Sequence, residues 1–348
     1  MTRCAPGRHL DDAVAVVGGM VATGLVDVTD DPDALDGHGW WLVVAPFEGP
    51  PLLARFAEQR LLRPGELSSR RWRGPRRDGW TSSLDETGFR RAVTSVRAGI
   101  GRGDVYQVNL TRRLSAPLAA DASMLALGGA LAAGNPAPHA AIVELPTHGV
   151  RLASASPELF LARDGDRVWS SPIKGTAEHV DGFLAKDSAE NVMIVDLVRN
   201  DLGRVCRPGS ISVPLLLGRE EHPGLVHLVS TVEGRLRAGV GWAALLDATF
   251  PPGSVTGAPK LAALEHIARL EPVPRNVYCG SVGWVDADHD RGSLNVAIRT
   301  FFVDDGRLCL GTGGGITWDS TPDGEWEETE LKARRLLDVV SAPVPARA

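Results

Sequence analysis

The sequence predicts an α+β fold. Short segments of alternating apolar and polar residues cluster along the chain, and the dipeptides Asp164-Gly165 and Asp305-Gly306 separate neighbouring segments as hairpin turns do. Other segments place apolar residues three and four positions apart, as in amphipathic helices; Phe89, Val93 and Val96 are one such series. Helices and strands do not alternate strictly, which favours α+β over a doubly wound parallel sheet.

The individual elements follow from the same two periodicities and from turn residues. The expected helices are 85–101, 186–202, 242–249, 258–270 and 325–340, and Gly203 is the expected end of the second. The expected strands are 105–114, 150–161, 166–171 and an antiparallel meander of 278–285, 293–303 and 307–312. Two buried segments, 13–27 and 40–45, precede all of these.

Composition excludes several classes of protein. The chain has 348 residues and a net charge of -6, which argues against a nucleic-acid partner. No apolar run reaches the roughly 18 residues of a membrane span, and Asp11 and Asp12 stand where a signal peptide would be apolar. We therefore expect a cytoplasmic protein with no membrane partner. The four cysteines form no CxxC pair, so neither a zinc site nor a disulfide framework is expected.

Lysine is rare in this chain. Of 37 basic residues only four are Lys, at 174, 186, 260 and 332. Lysine can lose its proton and become nucleophilic, whereas arginine cannot. Lys174 follows Pro172 and precedes Gly175 in a stretch that reads as a constrained turn. It is a candidate nucleophile or base, and the same pattern also fits an ordinary surface lysine.

Two predicted helices each carry a pair of acids three residues apart. Asp187 and Glu190 share one face of the first, and Glu325 and Glu328 share one face of the last. Carboxylate pairs of this kind suit a hard cation such as Mg²⁺. The spacing also fits a solvated acidic face, and Lys332 could simply pair with Glu328 along the helix.

Two further features suit a carboxylate ligand. The run GTGGGIT at 311–317, which includes Gly313, Gly314 and Gly315, follows a predicted strand and could bring backbone N–H groups close to an anion. A tight turn is the alternative. Arg299 alternates with apolar neighbours in a predicted strand and is a candidate carboxylate clamp or a solvent-facing side chain.

Ten ordered segments between about 85 and 340 together resemble the chorismate-utilising enzymes. The first five are GDVYQVNLT (103–111), SASPELF (154–160), SPIKGT (171–176), KDSAENVMIVDLVRNDLG (186–203) and VHLVSTVEG (226–234). The others are FPPGSVTGAPK (250–260), YCGSVGW (278–284), AIRTF (297–301), GTGGGITWDS (311–320) and EWEETELKARRLL (325–337). All four lysines fall inside these segments.

The resemblance implies a fold of two packed antiparallel sheets with flanking helices and a site for chorismate and one Mg²⁺. Glu190 and Glu328 match the metal-ligand carboxylates of the family, and Asp187 and Glu325 match accessory acids around the same ion. His227 matches the histidine near the departing hydroxyl. The positions that match the binding of the carboxylates and ring of chorismate are Gly175, Thr176, Tyr278, Arg299, Gly313, Gly314, Gly315 and Lys332.

Two positions indicate the branch of the family. Branches that use water carry a Lys base where this chain has Gln107, so the resemblance implies ammonia as the nucleophile. Lys174 in the PIKGT segment resembles aminodeoxychorismate synthase component I, in which the lysine is thought to attack ring C2 before ammonia attacks C4. Glu158 matches an acid/base residue of that branch. Anthranilate synthase component I is the alternative, and a non-catalytic chorismate-binding subunit is a further one.

The family also implies partners and a division of the chain. No glutamine amidotransferase pattern is present, so a separate amidotransferase subunit is expected to supply ammonia for 4-aminobenzoate synthesis. We expect a shortened N-terminal region at 1–80 that joins the same fold, a catalytic domain at 81–342 and a tail at 343–348. Feedback binding of tryptophan is not expected, because no segment resembling LLES precedes the shared core.

Overall fold

A computed structural model describes residues 13–67, 71–177, 183, 185–222 and 225–341, with the backbone only at 176, 177, 185, 186, 221, 222 and 225. Within these ranges the chain forms 18 strands and six α-helices. None of those helices is long and apolar enough to cross a membrane.

The strands follow the chain in sequence order. The first nine are β1 (Val14–Val17), β2 (Met20–Thr29), β3 (Trp40–Ala45), β4 (Leu52–Leu61), β5 (Thr81–Ser82), β6 (Gln107–Pro117), β7 (His139–Leu145), β8 (Val150–Ser156) and β9 (Leu159–Asp164). The others are β10 (Arg167–Ser171), β11 (Ile173–Ala177), β12 (Ser212–His222), β13 (Leu225–Arg235), β14 (Gly257–Ala258), β15 (Ser281–Asp286), β16 (Arg291–Asn295), β17 (Thr300–Asp304) and β18 (Arg307–Ile316).

Hydrogen bonds join the strands into one curled sheet with two halves, and every described pair is antiparallel. The first half runs β6–β18–β17–β8–β7–β1, with β5 and β14 on β6. The second half runs β4–β3–β15–β16–β9–β10–β13, with β11 and β12 both on β13. β2 pairs with both β1 and β4 and so connects the halves. The α+β prediction is confirmed, and the two expected sheets are continuous.

The six helices are α1 (Glu86–Arg102), α2 (Met124–Gly134), α3 (Ala185–Gly203), α4 (Trp242–Thr249), α5 (Lys260–Leu270) and α6 (Pro322–Val340). The side chain of Asp85 caps α1 by accepting from the Gly88 N–H at 2.7 Å, and Thr321 caps α6 in the same way. Five of the six were expected within a few residues. α2 was missed, because it is apolar on all sides and has no amphipathic period.

Buried clusters hold the halves and helices together. Leu42 of β3 and Val143 of β7 belong to the largest cluster, which also includes α3 and α4 and so joins the two halves of the sheet. A second cluster fixes α2 and α6 on the first half, and a third fixes α1 and α5 on β6. The described cysteines, Cys206, Cys279 and Cys309, are buried free thiols, while Cys4 lies outside the described residues.

Two expected strands are each broken in two. The segment 150–161 divides into β8 and β9 at Pro157, and the segment 293–303 divides into β16 and β17 at 296–299. At both breaks the chain leaves one half of the sheet and enters the other, since β8 pairs with β17 whereas β9 pairs with β16. The apolar alternation continues across each break because both halves bury residues there.

Candidate active site

Glu158 and Arg299 lie at the two chain crossings between the halves. The Val296 N–H donates to the carbonyl of Glu158 at 3.0 Å, and the Ala155 N–H donates to the carbonyl of Arg299 at 3.0 Å. The two crossings therefore run side by side. They bring Glu158 and Arg299, an acidic and a basic residue from distant parts of the sequence, close together.

The Glu158 side chain is enclosed by protein, with 3% of the residue exposed. It hydrogen-bonds the Ser254 hydroxyl and the Ile173 N–H, and the charges of Lys174 and Arg299 act on it. Burial raises the pKa of the Glu158 carboxyl to about 7, while the Ser254 hydrogen bond and the Lys174 charge act in the opposite direction. A carboxyl of this kind can both accept and donate a proton near neutral pH.

The backbone of Arg299 differs from the predicted strand conformation. Its φ is +51°, in the left-handed region, and it lies in the irregular segment between β16 and β17. The prediction that Arg299 lies within a strand, and with it the orientation inferred from strand alternation, was therefore wrong. Burial lowers the pKa of the Arg299 guanidinium, the charge of Arg335 acts in the same direction, and Glu158 opposes both. Arg299 remains a cation available to a carboxylate.

Lys174 lies in a bulged strand. It belongs to β11, whose register on β13 shifts between Ile173 and Thr176. The prediction of a turn was therefore wrong, because this segment is a strand. The predicted local constraint on the backbone is present as the bulge. Gly175 has φ +87°, and a Cβ there would lie 2.9 Å from Cβ of Asp187. Lys174 Nζ is 3.5 Å from the position a Cβ of Gly315 would take, so β11 faces β18.

The glycine run lies within a strand, so the expectation that it follows the strand and the alternative of a tight turn are both wrong. Gly313, Gly314 and Gly315 lie in β18 and pair with β6, and none of them has a positive φ. Glycine is needed at these positions because polar groups of other elements lie where a side chain would be. A Cβ at Gly315 would overlap Nε2 of Gln107, and a Cβ at Gly314 would lie 3.0 Å from a Glu325 oxygen.

The acids of α6 gather at this glycine strand. The Cβ position of Gly314 is also 3.3 Å from Oε1 of Glu328, whose carboxylate pairs with Lys332 at 2.6 Å. Lys332 donates to the carbonyl of Gly313 at 2.9 Å. Glu325 is buried, and the Ser320 hydroxyl donates to it at 2.6 Å. Lys332 is thus both the expected ion-pair partner and a contact of the glycine strand.

The site forms a cleft between β11 and β18, where Lys174 faces Gly315, and the acids of α3 lie on its β11 side. Asp187 packs on Gly175, and Glu190 lies one turn further along α3, half-buried. Within the described ranges no three Asp, Glu, His or Cys side chains form a ready-made metal centre. The donor set nevertheless fits Mg²⁺, which uses one or two protein carboxylates and completes its shell with water and substrate oxygens. The absence of a side chain at Gly314 leaves room for the Glu325 and Glu328 carboxylates beside β18.

The remaining predicted residues lie around the same strands. Tyr278 is buried with its ring where a Cβ of Gly311 would be, and burial raises the pKa of its hydroxyl, which therefore stays a donor. His227 is buried on β13, where it is the register partner of Thr176 in the neighbouring strand β11. Only the backbone of Thr176 is described, so the predicted role of its side chain lies outside the described part of the structure.

Two residues of this cleft were not among the predicted site residues. Gln107 is 1% exposed, and its Oε1 has no hydrogen-bond partner among the described residues. Its signal was a glutamine at the start of a predicted strand, at the position that separates the branches of the resembled family. Ser254 hydrogen-bonds Glu158, and its signal was a hydroxyl within the Pro- and Gly-rich segment FPPGSVTGAPK.

Comparison with known sequences gives consistent matches. The sequence profile of chorismate binding enzymes matches residues 58–338. The chain is 40% identical over 274 residues to anthranilate synthase component 1 of Streptomyces coelicolor, covering 75% of this chain and 53% of that protein. It is 38% identical over 270 residues to aminodeoxychorismate synthase component 1 of Salmonella typhimurium, covering 74% and 58%. The chain thus spans about half to three-fifths of the length of these relatives.

Solved structures share the fold. A putative 2,3-dihydroxybenzoate-specific isochorismate synthase, DhbC from Bacillus anthracis, matches with a TM-score of 0.79 at 24% identity, covering 94% of this chain and 96% of the other. Anthranilate synthase component I from Streptococcus pneumoniae matches with a TM-score of 0.75 at 23% identity, covering 97% and 94%. At these identities the likeness shows the fold alone.

Proposed function

The chain belongs to the chorismate binding enzyme family, and we propose that it aminates chorismate at C4 to give 4-amino-4-deoxychorismate. The observation that carries this proposal is the position of Lys174. Its Nζ faces the β18 glycines beside Gln107, and its charge acts on Glu158. A lysine nucleophile and an adjacent acid/base carboxyl are the groups that the C4 chemistry requires.

The first proposed half-reaction uses the chain's own groups. Glu158 takes a proton from the Lys174 ammonium, and the neutral amine attacks C2 of chorismate. Both ring double bonds shift, the C4–O bond breaks, and the hydroxyl leaves as water with the proton held by Glu158. His227, buried on β13, is proposed to lie near this departing hydroxyl.

The second proposed half-reaction releases the lysine. Ammonia attacks C4, both double bonds shift back, and the bond from C2 to Lys174 breaks. The new C4 ammonium loses one proton, and the Lys174 amine that leaves takes it up. The sum is chorismate plus ammonia giving 4-amino-4-deoxychorismate plus water. Gln107 cannot remove a proton from water, which supports ammonia as the attacking species.

Arg299, Tyr278 and Lys332 are proposed to hold the carboxylates and ring of chorismate. Arg299 offers a bidentate cation at the chain crossing, and the Tyr278 hydroxyl remains a neutral donor. The backbone of Gly175–Thr176 and of 313–315 would approach the substrate closely, since no side chain intervenes at the glycines.

Mg²⁺ is proposed to be held by Glu190 and Glu328, with Asp187 and Glu325 beside it. When bound, it would supply positive charge to a substrate carboxylate and to the negative charge that develops during the reaction. The pairing of Lys332 with Glu328 fixes one of these carboxylates in the cleft.

The ammonia is proposed to come from a separate glutamine amidotransferase subunit. Both relatives are named as component 1 of a synthase, and a name of this kind supports a partner component. The purified chain is then expected to use ammonium but not glutamine.

Product identification tests the proposal. The purified chain is incubated with chorismate, Mg²⁺ and ammonium, and the products are separated with and without an added lyase that releases pyruvate from 4-amino-4-deoxychorismate. We expect 4-aminobenzoate only when the lyase is present. Anthranilate as the product would replace the proposal with anthranilate synthesis, which the 40% identity to an anthranilate synthase makes the second candidate.

A further inference from the structure

A small cavity lies beside Glu158, where β9, β10 and α3 meet the loop 252–254. Its volume is about 20 Å³. A site for one buried water needs roughly 10–15 Å³, so the cavity holds one or two molecules of that size. Its walls are largely apolar, with Phe160, Val198 and Leu202 among them.

Five polar residues line the cavity. Glu158, Asp201 and Thr249 offer acceptors, the Ser254 hydroxyl is engaged with Glu158, and the Ser170 hydroxyl can donate or accept. The Thr249 hydroxyl already donates to the carbonyl of Leu245 at 2.8 Å, so only its lone pairs remain for a guest. Asp201 accepts from Lys260 at 2.7 Å through one carboxylate oxygen, which balances its charge and leaves its other oxygen as an acceptor. Both residues line the cavity together with Glu158.

This lining favours a small guest with more donors than acceptors. Water has two donors and two acceptors, whereas ammonia has three donors and one acceptor. The apolar walls favour the neutral molecule, because a cation without full pairing is costly to bury. Glu158 borders the cavity and also interacts with Lys174, so it connects the cavity with the proposed reacting centre.

We propose that this cavity is a holding site for one molecule of ammonia before it attacks the ring. The proposal rests on the proposed function only in that the chain uses ammonia, at either C4 or C2. An ammonium ion that enters after Glu158 has passed its proton to the departing hydroxyl gives one proton to the carboxylate of Glu158, which is then ionised again. The products of that transfer are ammonia and the carboxylic acid, and no other bond changes.

Filling the cavity tests the proposal. Val198→Ile adds one methylene to the cavity wall, and Val195→Ile makes the same change at a buried position of the same helix that does not line the cavity. Initial rates are measured at fixed pH with free ammonia varied at saturating chorismate, and with chorismate varied at saturating ammonia. We expect Val198→Ile to raise KM for ammonia about tenfold. A change of this size corresponds to the loss of one or two hydrogen bonds to the held ammonia. The KM for chorismate and the Tm should match those of Val195→Ile.

A second variant removes an acceptor without filling space. Thr249→Val should raise KM for ammonia about fivefold, as expected for one hydrogen bond. Thr94→Val is the control for this variant. The Thr94 hydroxyl also donates to a carbonyl of the preceding helical turn, that of Arg90 at 2.9 Å, but it lies on the surface of α1.

Two results overturn the holding site. One is an unchanged KM for ammonia in both Val198→Ile and Thr249→Val. The other is an equal rise of KM for chorismate, which would mean that the cavity only positions Glu158. Failure of the proposed function looks different, because the unmodified chain would then show no turnover that depends on ammonium, and the holding site would fall with it.

Discussion

Lys332 holds Glu328 from one helical turn away, with 2.6 Å between Nζ and Oε1. The same ammonium donates to the carbonyl of Gly313, so the carboxylate is fixed against the glycine strand. An ion pair at this spacing is worth only a few tenths of a kcal/mol on an exposed helix. Its consequence here is positional, because Glu328 stays beside Glu325 and the cleft.

We therefore expect Glu328→Gln to raise the Mg²⁺ concentration for half-maximal activity by about tenfold or more, in the range seen when groups supporting a metal are lost. Glu190→Gln should do the same. Glu327→Gln, an exposed change on the same helix, is the control. A thermal-shift titration with Mg²⁺ gives a readout independent of turnover, and an unaltered Mg²⁺ dependence in both variants would refute the metal assignment.

Gly315→Ala should damage the cleft without a charge change. The added Cβ would overlap Nε2 of Gln107 and approach Lys174 Nζ. Because Gln107 is buried, its displacement should cost about 1–3 kcal/mol of unfolding free energy, as overpacking does. Turnover should fall at the same time. Gly79→Ala is the control, since a Cβ there meets nothing within 4 Å. Urea unfolding and initial rates measure both effects, and wild-type values for Gly315→Ala would contradict the close approach.

Local sequence patterns were sufficient for the elements that carry the acids. α3 ends at Gly203 as expected, and α6 begins at Pro322, three residues before its expected start at 325. The helical faces that bear Glu190 and Glu328 could still be assigned from their spacing. Helix caps and a 3.6-residue period are local properties of the chain.

The chain crossings could not be predicted in this way. Pairing with strands more than a hundred residues distant decides that β8 ends before Glu158 and that β17 begins after Arg299. The glycine strand is a similar case. Glycines 313–315 are explained by Gln107 and the acids of α6, which approach from other elements, and no turn conformation is involved. Only the family resemblance connected these positions before the structure did.

Glu158 should make stability depend on pH. Its pKa is raised to about 7 in the folded chain, mainly by burial, from 4.5. Below 4.5 the carboxyl is protonated in both states. Between 4.5 and 7 the unfolded chain ionises it while the folded chain does not, so stability falls as pH rises through this window. The loss amounts to about 3 kcal/mol and is complete above pH 7.

Glu158→Gln should remove this loss. The unfolding free energies of both chains are measured in urea at pH 4.5 and at pH 8. Relative to the unmodified chain, the variant should be about 3 kcal/mol more stable at pH 8 than it is at pH 4.5. Glu58→Gln, an exposed change on β4, should show no such gain. Parallel pH dependence of Glu158→Gln and the unmodified chain would mean that the carboxyl is not desolvated as the structure indicates.

Lys174 is the residue on which the proposed product depends. Arg cannot replace it, because a guanidinium stays protonated and cannot attack C2. Lys174→Arg should therefore be nearly inactive. Lys174→Ala leaves space next to Gly315 in which ammonia can reach C2 directly. We expect this variant to lose most of its 4-amino-4-deoxychorismate formation, with the residual chemistry moving to C2 and giving 2-amino-2-deoxyisochorismate or anthranilate.

Chromatography of the products, with ammonium as the nitrogen source, separates these outcomes. A second measurement looks for the covalent intermediate itself. Without ammonia, the unmodified chain should gain the mass of chorismate minus water, located on the peptide that contains Lys174, and neither variant should gain it. If Lys174→Ala forms the same C4 product at an unchanged rate, Lys174 is not the nucleophile. The choice of C4 over C2 amination then loses its main support, while membership of the chorismate binding enzyme family would stand.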